Sequence, residues 1–286
     1  MAVAPKPDLY ARAVADRDEI ADYLRTNRRY AAYALGDLDG AARSRCTWGM
    51  AHDDTGRAVA LVMHQEGLVP QPLFLMGDPA GCREVLDSVI RPRDAYFLST
   101  EAHDVAIADL YQLDPPLALL RMAVDADSFI PFAGPAERLG AADGEDLNRL
   151  YQLGFRGGFP ASILDDGVYY GVRVRGRLVS AAGTHVINVR EGVAVVGNVM
   201  THVDFRGHDL AKMVTSAVTA DLLQRVGDVA LNVHADNGPA ITAYARLGYL
   251  EHCRLSERLG HRRSGGWGLM RPIREAIRLT WQRDPK

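Results

Sequence analysis

From Asn198 to Ala211 the chain passes from a strand-like run through a short loop, Asp204 to His208, into a helix with an apolar stripe at Leu210, Met213, Val214, Ala217 and Val218. A helix start leaves backbone N–H groups unpaired and carries about half a positive charge, so such a turn can cradle phosphate oxygens when small residues let them approach. Gly207 and Ala211 leave that room. The plain alternative is an ordinary helix start capped by Asp204 or Asp209. One helix and one strand further on comes the stretch Asn237 to Tyr249, with Pro239 at an early helical position and Gly248 at a C-terminal stop. Tyr244 brings a phenolic proton and Asn237 an amide; core filler and turn residue are their bland alternatives. His185, His202 and His234 flank these segments. An unperturbed imidazole titrates near about 6.5, which suits proton uptake at neutral pH, and His202 is the first choice because it adjoins the strand end. No HExxH or CxxC spacing is present, so no metal site is expected.

The elements that must position these residues occur twice. Asp16 and Asp143 each stand where a side chain can cap a helix, with an acid three residues later and an apolar run behind. In the first half strands follow at 58–63 and 73–76, then a helix at 82–90 and a strand at 96–99. The second half repeats the order, with strands at 169–174, 178–186 and 193–201, a helix to Val226 and a strand at 229–234. Arg175-Gly176-Arg177 and Arg190-Glu191-Gly192 read as tight hairpin turns, whereas strand-helix-strand connections make parallel neighbours. The fold class expected is therefore α/β, two tandem units with mixed, mostly antiparallel sheets flanked by helices. Their boundary falls in the Pro/Gly-punctuated stretch 125–140, giving domains 1–131 and 132–286.

Composition narrows the partners. The 286 residues are 48% hydrophobic and 24% charged, with a net charge of −3. That is ordinary for a folded protein and offers no general footprint for a polyanion, so no nucleic acid is expected. Eight arginines between Arg254 and Arg283 face only Glu257 and Glu275, a tail that reads first as a solvated face. Cys46, Cys82 and Cys253 form no pairing pattern, which fits a reducing cytoplasm. No apolar run is long enough for a membrane span.

Taken in order, Arg206-Gly207-His208-Asp209-Leu210-Ala211 and Asn237-x-x-Ala240-x-x-x-Tyr244-x-x-x-Gly248-Tyr249 resemble the two signature motifs of the GNAT superfamily of acyl-CoA-dependent N-acetyltransferases. The first is similar to that family's Arg/Gln-x-x-Gly-x-Gly/Ala pyrophosphate loop. The resemblance spans roughly 137–253 and implies acetyl-CoA as cosubstrate and a small-molecule amine as acceptor. It also implies that the amides of Arg206 to Ala211 hold the pyrophosphate and that the main chain of Val199, Met200 and Thr201 pairs with the pantetheine arm as an added strand. Asn237 would bind that arm, and Tyr244 would protonate the leaving thiolate. Two departures stand out. Asp209 occupies the usual glycine position, repulsive to a phosphate unless it caps the helix or pairs with Lys212 or Arg206. The strand glutamate that many members use as a base is replaced by Val193-Ala194-Val195-Val196. A non-catalytic acyl-CoA-binding or regulatory module is the alternative these departures leave open, as is assembly into a homodimer.

The first half lacks the handles. Its loop reads Gly77-Asp78-Pro79-Ala80-Gly81-Cys82, with no arginine, and with a proline where a phosphate would need an N–H. His103 and Leu110 stand opposite Asn237 and Tyr244. It reads as a degenerate copy, and a truncation near Pro135 is expected to keep cofactor affinity and lose turnover. The stretch Tyr151 to Pro160, with Phe155, Arg156 and Phe159, is either an acceptor loop or a plain surface loop.

Overall fold

The computed structural model describes residues 9–152 and 163–263. The loop containing Phe155, Arg156 and Phe159, and the arginine tail beyond Arg263, lie outside the described residues. In the first half the elements are β1 (Tyr10–Val14), α1 (Arg17–Arg25), α2 (Ala32–Gly36), α3 (Gly40–Arg43), β2 (Cys46–His52), β3 (Ala58–Gln65) and β4 (Pro72–Gly77). They continue with α4 (Pro79–Ser88), β5 (Asp94–Ser99), α5 (Glu101–Ile107), β6 (Tyr111–Leu113) and β7 (Leu117–Val124). The second half holds β8 (Glu137–Arg138), α6 (Gly144–Tyr151), α7 (Ile163–Asp166), β9 (Tyr170–Val174), β10 (Arg177–Asn188) and β11 (Val193–Thr201). It ends with α8 (Leu210–Leu222), β12 (Asp228–His234), α9 (Gly238–Ala245) and β13 (Leu250–Arg262).

Local chemistry explains most boundaries. Asp16 caps α1 by accepting from the amides of Asp18 and Glu19, both at 2.9 Å. Asp143 does not cap α6 with its side chain. A short turn at Ala141–Asp143 runs straight into that helix, so the carboxylate swings out to the Gly140 amide at 2.9 Å and to Arg173 at 2.6 Å. Arg175 and Gly176 both have positive φ, 51° and 79°, the geometry that lets a two-residue turn follow the twist of β9 and β10. Along α8, Val214, Val218 and Leu222 recur every fourth residue and are fully buried, each worth about 1.5–3 kcal/mol relative to exposure.

All the strands join one 13-stranded sheet. In the first half β1 to β4 are antiparallel and α4 carries the chain to the parallel β5. In the second half β8 to β11 are antiparallel and α8 carries it to the parallel β12. The same unit thus appears twice in one mixed sheet.

What the repeat did not reveal is how the halves join. Across the sheet the order is β5-β13-β7-β12, so each half supplies a strand to the other. β7 pairs with β12 and β13, while β13 pairs with β5, β6 and β7. Val193 and Leu255 of the second half pack with Trp48, Leu61 and Leu24 of the first in one hydrophobic cluster under α1 and α2. Charges reinforce the seam: Glu191 is fully buried and accepts from Arg17 at 2.7 Å and Arg25 at 2.8 Å. Burial pushes its carboxyl up, but the bonds from Arg25 and Arg17 more than offset this and hold it below the usual range. Asp228, at the start of β12, pairs with Arg28 and, at 2.7 Å, with Arg29. A fragment starting near Pro135 would lack β7 and leave the facing edges of β12 and β13 bare, so it is not the self-sufficient unit that sequence order suggests.

Candidate active site

β11 and β12 begin side by side and then part. Their pairing runs from Val193 opposite Asp228 to Val196 opposite Leu231 and stops, although both strands continue. At the parting point Asn198 has φ +53°, and β10 shows register breaks against β11. A side chain at Gly197 would strike His185, whose Nε2 lies 2.4 Å from where its Cβ would be. The amide of His202 donates to Val179 at 2.8 Å and the carbonyl of Met200 accepts from Ser180 Oγ at 3.1 Å, so these two residues turn their main chain toward β10. Strand alternation then turns Val199 and Thr201 to the opening. Met200, expected among the cofactor contacts, turns its main chain toward β10, and its side chain packs against the cluster that holds Tyr151 and Tyr169.

The opening leads to the loop before α8. The amides of Gly207 through Lys212 have no hydrogen-bond partner among the described residues, while that of Arg206 is used by Val203 at 3.3 Å. Gly207 has φ +81° and Asp209 φ +58°, a left-handed position that Asp tolerates better than most residues. The Asp209 carboxylate does not cap the helix; it turns to the Lys212 ammonium at 3.0 Å. Lys212 is itself buried and lies 3.8 Å from the centre of the Phe132 ring. A chain-borne cation therefore neutralises the carboxylate that stands in place of glycine. Arg206 is exposed with no ion-pair partner among the described residues. The imidazole Nδ1 of His208 lies 3.0 Å from the Arg206 carbonyl and 3.3 Å from that of Phe205, bracing the turn.

The second motif meets the first through packing. Val199, Phe205, Leu210, Ala240 and Tyr244 belong to one hydrophobic cluster. Asn237 caps α9 by accepting from the Ala240 amide at 3.2 Å, which leaves its NH2 group without a partner among the described residues. Tyr244 is buried, its ring 6.1 Å from that of Tyr249, and its hydroxyl has no partner among the described residues. Burial pushes the phenol up to about 12, so it holds its proton at neutral pH.

The histidines resolve differently. His202 Nδ1 accepts from the Asp204 amide at 3.3 Å and its Nε2 faces Arg177 Nη2 at 2.8 Å. Both nitrogens are engaged within the chain, so His202 braces the loop between β11 and α8. His185 lies between Tyr33 Oη at 2.8 Å and Asn198 Oδ1 at 3.1 Å, and burial lowers its pKa. His234 ends β12 in an exposed position.

Sequence reasoning missed a group on the sheet face covered by α1 and α2. Arg121 of β7 is fully buried, gives Nε to Asn232 at 2.7 Å and Nη1 to the Tyr30 carbonyl at 2.5 Å, and lies 5.2 Å from the centre of the Tyr33 ring. Glu257 of β13 accepts from the Tyr96 hydroxyl of β5. The only sequence signal was an acid inside an arginine-rich run, and nothing local tells that β13 inserts between the halves. No group of three or more His, Cys, Asp or Glu is placed to hold a metal, and no helix is long and apolar enough to cross a membrane, among the described residues.

The family described as FR47-like protein matches residues 169–259, from β9 to within β13. No curated protein matches the sequence. Among solved structures, a GCN5-related N-acetyltransferase from Kribbella flavida superposes with a TM-score of 0.57 at 18% identity, covering 83% of this chain and 96% of its own. One from Sphaerobacter thermophilus gives 0.56 at 16%, covering 91% and 98%. A tandem GNAT protein from the clavulanic acid biosynthesis pathway gives 0.52 at 16%, covering 91% of this chain and all of its own. The chain has the GNAT fold, in a tandem arrangement, with an FR47-like segment in its second half.

Proposed function

We propose that this chain, a tandem of GNAT-fold units, transfers an acetyl group from acetyl-CoA to a small-molecule amine, with cofactor binding confined to residues 132–286 and residues 1–131 a degenerate copy. One observation carries the reading: the amides from Gly207 to Lys212, at the N-terminus of α8 and unpartnered among the described residues, stand beside a strand that has parted from its neighbour. That is a phosphate cradle next to a slot for an extended ligand. The amides of Gly207 to Ala211 would hold the pyrophosphate, with Arg206 above them, and Val199 and Thr201 would pair with the pantetheine arm. An amide on β11 would also polarise the thioester carbonyl. The NH2 of Asn237 would donate to the arm. Tyr244 would give its proton to the departing sulfur, a transfer suited to a phenol kept neutral by burial.

The neutralised Asp209 favours this reading over a module that cannot hold the nucleotide. Calorimetric titration with coenzyme A, followed by thiol release from acetyl-CoA over a panel of primary amines, tests it. Micromolar binding together with release is the expected result; binding without release for every amine would favour a non-catalytic acyl-CoA-binding module. Tyr244→Phe should lower kcat by about 100-fold or more with coenzyme A affinity unchanged, as the loss of a positioned proton donor does.

A further inference from the structure

The opening between β11 and β12 has two sides. Tyr244, Val199 and Leu210 pack in the cluster on the α8–α9 side of the sheet. On the opposite face of the sheet, with β7 and β12 between β13 and the opening, the alternation of β13 puts Cys253, Leu255 and Glu257 on the side covered by α1 and α2, since Leu255 and Cys253 pack there with Leu24, Tyr30 and Leu98. Asn232 reaches Arg121 on this face, and His234, two residues further along β12, follows it to the strand end. Glu257 lies opposite Leu117 of β7 and Leu98 of β5, at the same end of the sheet as His234.

We infer that Glu257, held by the Tyr96 hydroxyl, receives the acceptor as a cationic primary amine and takes the proton that frees its nitrogen to attack. The inference rests on the acetyl-transfer reading and names the base that reading lacks. Glu257 is half-buried and has no cation within ion-pair distance among the described residues; its hydrogen-bond partner is a neutral phenol. A carboxylate in that setting is poised for a cation brought by a ligand. Groups around it come from every flanking element: Tyr96 from β5, Arg121 from β7, His234 from β12 and Tyr33 from α2. Burial raises the Glu257 carboxyl, and the bond from Tyr96 with the charges of His234 and Arg121 draws it part of the way back. That tuning moves a carboxylate toward the working range of a base.

The step balances as follows. Glu257 takes one proton from the ammonium, the nitrogen lone pair forms the C–N bond, and the C–S bond breaks with its electron pair leaving on sulfur. Tyr244 protonates that sulfur and recovers a proton from the nitrogen as it becomes an amide; Glu257 releases its proton to solvent. Because Tyr96 belongs to β5 and Tyr33 to α2, the first half, which binds no cofactor in this reading, builds the acceptor side.

Glu257→Gln and Tyr96→Phe test the assignment in the full chain, read by coenzyme A titration and by thiol release from acetyl-CoA with primary alkylamines, arylalkylamines and amino sugars across pH. Glu257→Gln should leave coenzyme A affinity within about twofold and lower kcat/KM for the amine by about 100-fold or more, abolishing the acid limb of the pH profile. Tyr96→Phe removes a donor to the ionised carboxylate, so the acid limb should persist and move to higher pH. Unchanged kcat/KM and profile in Glu257→Gln, with coenzyme A still bound, would overturn this inference and leave acetyl transfer standing. Coenzyme A binding without release from any amine would overturn both, and failure of the wild type to bind coenzyme A would overturn the cofactor assignment on which both depend.

Discussion

The β4–α4 and β11–α8 crossovers are the same piece of architecture in opposite chemical states. At α8 the carboxylate of Asp209 turns sideways to Lys212 and leaves the helix amides bare. At α4 the carboxylate of Asp78 turns inward and takes the amides of Ala80 and Gly81, at 2.6 and 3.0 Å, while Pro79 has no N–H to give. The rest of that turn is equally occupied. The amide of Asp78 and the hydroxyl of Tyr23 both donate to the Val59 carbonyl, at 2.8 and 2.6 Å, and His103 Nε2 meets the Gly77 carbonyl at 3.0 Å. A single aspartate, shifted in place and direction, separates a self-capped helix start from an open one. The first copy was sealed with its own polar groups, and a sealed helix start is a better structural part than a binding site.

The largest effect should come from separating the copies. A fragment beginning at Pro135 loses β7 from between β12 and β13, and should be unfolded or aggregated by circular dichroism and gel filtration; a monomeric, cooperatively melting fragment would show that the strand exchange is dispensable. Next comes the seam. Glu191→Gln leaves Arg17 and Arg25 without their shared buried carboxylate and should cost about 3–5 kcal/mol in denaturant unfolding. Glu191 and Asp39, the latter held down at about 2 chiefly by its bond from Arg17, both have depressed folded-state pKa values. Their contribution is therefore complete above the unfolded carboxylate pKa near about 4 and is lost as pH falls through the folded values. The acid limb of a stability–pH curve should accordingly flatten in Glu191→Gln.

Smaller effects test the two loops directly. Ala211→Pro gives α8 the missing N–H that α4 already has, at a first-turn position that tolerates proline, and should weaken coenzyme A by about 10- to 100-fold in calorimetry with little change in Tm. The mirror change, Asp78→Ala, should cost about 1 kcal/mol of stability as a lost helix cap and leave coenzyme A stoichiometry at one per chain. A second equivalent bound would mean that the first cradle was only plugged.

Much of the scaffold was legible because it is written locally. Hairpin turns follow from Arg175-Gly176, the α1 cap from Asp16, and the α8 stripe from residues spaced for one face. The two motifs could be located for the same reason, since each binding group is a main-chain amide or a side chain a few residues away. Errors gathered where a residue's role depends on a distant partner. Asp143 was drawn off its helix by Arg173, and no short segment shows that His202 meets Arg177 or that Met200 meets Ser180 across the hairpin. Glu257 carried no local mark at all.

Sequence alone determined the repeat and the parallel crossovers and located the loop at Arg206 to Ala211, because turn geometry, side-chain periodicity and helix-end chemistry act over a few residues. Tertiary structure decided that β7 and β13 change places between the copies, that Lys212 neutralises Asp209 from a buried position, and that Glu257 and Tyr96 meet across a seam 161 residues apart in the chain. Strand edges carry interchangeable backbone donors and acceptors, so which edge a strand joins is settled by how all the apolar faces can be covered together, a property that no short segment possesses.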